Sequence, residues 1–102
     1  MGTQEKMIPV TNVQLHDLGK DGPTRAIGSV TIGGAFVVHG VRVVEGEKGP
    51  FVAMPQRKEG DRYRDVAHPV TAEMRTMVSH AVLEEYERLK SREQQERGRA
   101  AR

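Results

Sequence analysis

One stretch of this 102-residue chain, Thr71 to Leu89, repeats apolar residues at helical spacing, and no other stretch does so convincingly. Met74, Met77, Val78, Ala81, Val82, Tyr86 and Leu89 fall three and four positions apart, which puts them on one stripe of a helix. Pro69 precedes it, Thr71 suits the N-cap, and Glu73 sets a negative charge in the first turn. Glu84 with Arg88 and Glu87 with Lys90 have the spacing of ion pairs on the wet side. Beyond Lys90 the stripe ends, and KSREQQERGRAAR carries nothing that demands burial, so the helix is expected to fray before Gly98. A lone amphipathic helix of roughly 20 residues must bury its stripe on something else. The preceding residues have to supply that surface.

They read as strands. Ile8 to Leu18 alternates, with Val13 and Leu15 on one side and Gln14 and His16 on the other. Gly19 to Pro23 is dense in turn residues. Thr24 to Ile32 sets Ala26, Gly28, Val30 and Ile32 on one face. Gly33-Gly34 tolerates positive φ at both positions and suits a tight hairpin. Ala35 to Val44 is apolar on both faces, so it belongs in the middle of a sheet, and Gly40 between two valine pairs predicts a bulge or shift of phase. Glu45 to Gly49 reads as a turn, Phe51 to Met54 as a fourth strand, Pro55 to Asp61 as a loop, and Tyr63 to Ala67 as a short fifth strand at an edge. The expected fold is α+β: an antiparallel meander of four to five strands with one C-terminal helix packed on it. Residues 8–90 form the single domain, 1–7 a disordered leader and 91–102 a polar tail, helical or disordered. One helix cannot cover both sides of the third strand, so some of Val37, Val41 and Val43 are expected to need a second cover, which a homodimer supplies.

Several function classes drop out. The chain has no cysteine, which excludes disulfides, thiolate metal sites and cysteine nucleophiles. No run approaches the roughly 18 apolar residues of a membrane span, and the N-terminus has neither a signal-peptide core nor a myristoylation motif. A cytoplasmic protein is the default expectation. His16, His39, His68 and His80 lack metal-ligand spacing, and His39 and His68 are expected to be packed and hydrogen-bonded. Gly33-Gly34 is not followed by a helix and cannot cradle a phosphate. No metal, no cofactor, no small-molecule substrate and no catalytic residue is indicated, and the chain reads as a non-enzyme.

The stretch from Phe51 to Val70 holds the strongest charge feature: Arg57, Lys58, Arg62 and Arg64, with Tyr63 among them. Arginine forks match phosphate oxygens, and a tyrosine can stack on an unpaired base. Glu59, Asp61 and Asp65 cancel much of that field, so a solvated turn fits the same residues. The formal net charge of +2 does not decide between the two.

The motifs FVVH, VRVVEG, FVAMP and RDVAHP, at these separations between Arg25 and Val70, resemble the SpoVG family of bacterial septation and stage V sporulation proteins. The likeness runs from about Val10 to Leu89. It implies a small cytoplasmic regulator that binds DNA and also RNA, often as a homodimer. The basic pair that follows FVAMP in the family falls on Arg57 and Lys58 here, which makes these two the first nucleic-acid contacts to expect. Arg64, Arg75 and Arg42 join them on charge and placement. The alternative is a protein-interaction module that acts in cell division without touching nucleic acid.

Overall fold

The computed structural model describes residues 8–19 and 21–100, with side chains as far as residue 92; the expected leader and the last two residues of the tail lie outside this range. The elements in order are β1 (Val10–Asp17), β2 (Thr24–Ile32), β3 (Phe36–Gly46), β4 (Gly49–Ala53), β5 (Gln56–Glu59), β6 (Arg62–Asp65) and α1 (Ala72–Ala100). β1 to β4 form an antiparallel meander in that order, with α1 packed across one face. Among the described residues β5 and β6 pair only with each other. The fold is therefore α+β, as the patterning predicts, with a separate two-stranded ribbon in place of an edge strand at Tyr63–Ala67.

Turn chemistry sets the meander. Gly33 and Gly34 both take positive φ, 61° and 65°, and the Ala35 N–H donates to the Ile32 carbonyl, as a type I′ turn requires. Glu45, Gly46 and Gly49 belong to strands, because Gly46 pairs with Gly49, so the expected five-residue turn shrinks to Glu47-Lys48. β3 lies between β2 and β4, where its two apolar sides placed it.

Gly40 explains why those two sides do not both stay open. Gly28 pairs with Val41 and Ser29 with His39, so Gly40 is an extra residue, at φ 86°. The bulge changes the phase of the strand. Val38 before it and Val41 and Val43 after it all face the helix. Val41 and Val43 are fully buried there without a second cover; of the three valines named, Val37 is the one that stays exposed. His39 is likewise exposed on its strand and not packed.

The core is small: Ala26 and Val30 from β2, Val41 and Val43 from β3, and Val78, Val82 and Tyr86 from the helix stripe. Met74, Leu83 and Leu89 flank it, and the Lys90 ammonium lies 5.0 Å from the Tyr86 ring centroid. At the helix start Thr71 Oγ1 accepts the Met74 N–H at 3.0 Å, so the N-cap forms as expected. On the wet side Arg88 pairs with Glu85 at 3.2 Å, not with Glu84, and Arg92 reaches the same Glu85. Lys90 pairs with Glu87 at 3.6 Å. The helix continues past Gly98, where fraying was expected. Among the described residues no helix is long and apolar enough to cross a membrane.

Candidate nucleic-acid interface

Pro55 ends the sheet strand, and the chain turns directly into the ribbon. Gln56 pairs with Asp65, Arg57 with Arg64, Lys58 with Tyr63 and Glu59 with Arg62. Gly60 at φ 63°, followed by Asp61 at negative φ, makes the two-residue turn, with glycine in the first central position as a type II′ turn demands. The Val66 N–H closes the base on the Pro55 carbonyl at 2.7 Å. All eight strand residues are exposed. The expected loop at Pro55–Asp61 is thus a strand and a turn. Its strand character is hidden in the sequence because both faces are exposed, so no apolar alternation marks it. The readable signal is Gly60-Asp61 between two runs of equal length whose ends match, Gln56 to Asp65 and Glu59 to Arg62.

Strand geometry then sorts the charges. Residues opposite one another share a face, and neighbours along a strand alternate. Arg57, Arg62, Arg64 and Glu59 therefore occupy one face, with a formal charge of +2. Lys58 and Tyr63 occupy the other, beside the Gln56–Asp65 pair joined by a 2.9 Å hydrogen bond. Arg57 and Lys58, expected to act together, point opposite ways. Arg57 instead joins Arg64, and Arg62 joins both, although the resemblance did not single it out. The Arg57 and Arg64 side chains are 71% and 70% exposed, so they meet solvent along most of their length. Tyr63 is exposed too, on the lysine face.

Glu59 is the residue that sequence reasoning underrated. Its carboxylate lies 3.6 Å from Arg57 Nε and 3.5 Å from Arg64 Nη1. Arg57 and Arg64 stand directly across the ladder, where like charges repel, and Glu59 is the anion between them.

The two remaining candidates lie off the ribbon. Arg75 sits in the first turn of α1 and lines a cleft of about 360 Å³ between β4, the ribbon base and the helix. Gln56, Asp65, His68 and Ser79 share that cleft. His68 is exposed, with Nδ1 3.1 Å from the Pro69 carbonyl, so it is hydrogen-bonded as expected but not packed. Arg42 is half-buried on β3, on the face away from the helix, with Nη2 3.5 Å from the Met54 carbonyl just before the ribbon begins. Neither belongs to the arginine face. Among the described residues no group of three or more His, Asp or Glu is gathered as a metal ion would need.

The family model for SpoVG matches residues 8–88, the whole sheet, the ribbon and the packed part of the helix. The chain belongs to the SpoVG family. A relative from Lachnospira eligens, named "Putative septation protein SpoVG", is 48% identical over 80 residues, covering 78% of this chain and 91% of its own. A Clostridium perfringens relative of the same name is 42% identical over 88 residues, covering 85% and 98%. One from Lachnoclostridium phytofermentans is 46% identical over 79 residues, covering 76% and 85%. The SpoVG match spans the ribbon and stops before the helical extension ends.

Proposed function

We propose that this SpoVG-family chain is a cytoplasmic nucleic-acid-binding regulator, of DNA and also RNA, whose contact surface is the arginine face of the β5–β6 ribbon. The observation that carries the reading is the alignment of Arg57, Arg62 and Arg64 on one exposed face of a projecting hairpin. Three guanidinium forks on one strip suit the spaced oxygens of a phosphate backbone, and a two-stranded ribbon fits the width of a DNA major groove. Lys58 adds positive charge from the opposite face. The name that its relatives carry supports septation as the regulated process. A homodimer would present two ribbons, so that two modest contacts act together; Ile27, Val37 and Phe51, exposed on the helix-free sheet face, favour such an assembly.

A second reading has one observation in its favour. Ile8, Phe36 and Val70 are exposed around an apolar groove of about 330 Å³ at the N-terminal end of the helix, which suits a protein partner. The two readings differ in their response to salt. Binding of mixed-sequence DNA and RNA should weaken as salt rises, with a log–log slope of about −2 per engaged ribbon for duplex DNA. Salt-independent binding, or none, would remove the ribbon from consideration.

A further inference from the structure

The arginine face carries its own anion, and its position is informative. Arg57 and Arg64 are direct cross-strand partners, and the Glu59 carboxylate touches both from two residues along the ribbon. Two guanidinium groups with a single oxyanion group between them form the arrangement that a backbone phosphate would occupy on such a face. The contacts at 3.6 and 3.5 Å are long for charge-assisted bonds, and both arginines are mostly exposed, so the ion pairs are weak and open to exchange. Asp61, by contrast, stands at the turn with no ion pair among the described residues.

We infer that Glu59 is a built-in competitor for phosphate: its carboxylate holds the seat between Arg57 and Arg64, and nucleic acid binds by displacing it. This rests on the nucleic-acid reading of the ribbon and adds a residue that tunes it. In the free protein Glu59 offsets the repulsion of two facing arginines and keeps the ribbon from acting as a permanently open cationic patch. When a phosphate arrives, it takes over that role, and Glu59 turns to solvent. Weak non-specific contacts are then held down, because every phosphate must first replace an anion already in place.

The test is the charge-removing substitution Glu59→Gln in the full chain, compared with Asp61→Asn, which removes the same charge from the same ribbon without touching either arginine. Duplex DNA of mixed sequence is the probe. At low salt E59Q should bind about five- to tenfold more tightly and with a salt slope steeper by up to about one, while D61N should gain about twofold or less. The gain should vanish when E59Q is made together with Arg57→Ala and Arg64→Ala, since no seat is left to vacate. Equal gains for E59Q and D61N, or a gain that survives loss of the arginines, would reduce Glu59 to one more background charge and overturn the inference. Weaker binding by E59Q, including binding lost because the ribbon no longer forms, would overturn it by making the residue a support. Absence of binding by the unsubstituted protein and by E59Q alike would instead bring down the nucleic-acid reading itself.

Discussion

Gly28→Ala should destabilise the protein by about 3 kcal/mol, a large share of what a domain of this size possesses. A Cβ built on Gly28 would stand 1.7 Å from the Gln14 carbonyl oxygen, 2.7 Å from its carbon and 2.9 Å from Leu15 Cα. All three are backbone atoms of β1, so no side-chain rotation relieves the clash. The strand itself must move, taking Val13 and Leu15 away from the core they flank. Gly22→Ala is the matched control. Nothing lies within 4 Å of its added Cβ, and its φ is not in the left-handed region, so it should change stability by no more than about 0.5 kcal/mol. Urea unfolding of the two variants beside the unsubstituted protein measures the difference. Equal midpoints would mean that β1 does not press on Gly28.

The largest functional effect should come from Arg57→Ala combined with Arg64→Ala. Two charge-assisted phosphate contacts at about 1–1.5 kcal/mol each correspond to a loss on the order of 30- to 150-fold in affinity for duplex DNA at low salt. The salt slope should flatten by about one per ribbon, for the single phosphate that Arg57 and Arg64 share and no longer neutralise. Lys58→Ala, on the opposite face, should lose only about two- to threefold and flatten the slope by less than one. Both changes are exposed and should alter the unfolding free energy by no more than about 0.5 kcal/mol. A larger loss for Lys58→Ala than for the arginine pair would turn the ribbon over and make the Lys58–Tyr63 face the contact surface.

These two predictions divide along the line between what the sequence makes visible and what it hides. Burial leaves a record in residue type. The helix stripe, the limits of β2, the Gly33-Gly34 turn and the interior place of β3 follow from apolar spacing and turn chemistry, and each stands as expected. Gly40 was legible as a bulge, but not in its consequence. One extra residue reverses the side to which every later residue points, and only the ladder register shows that Val38, Val41 and Val43 end on one side. The ribbon left no such record. Both of its faces are wet, so hydrophobic periodicity has nothing to report, and its charged run looks like a solvated loop. Reading a loop there hid the alternation that separates Arg57 from Lys58. It hid equally the ladder that brings Arg57 to Arg64, 7 positions away in the chain, with Glu59 between them. Arg75 and Arg42 stand out in the sequence by charge and by placement along the chain, and neither says which face a side chain joins or that both lie off the ribbon.

A backbone amide map locates the surface that meets nucleic acid, which should be the ribbon. Mixed-sequence DNA or RNA, titrated into isotope-labelled protein at low salt, should shift the amides of residues 56–65 first and furthest. The arginine side-chain signals of Arg57, Arg62 and Arg64 should move with them. Smaller shifts are expected at Arg75 and His68, beside the ribbon base. Shifts centred instead on Ile8, Phe36 and Val70 around the apolar groove, with 56–65 unmoved, would rule the ribbon out as the contact surface.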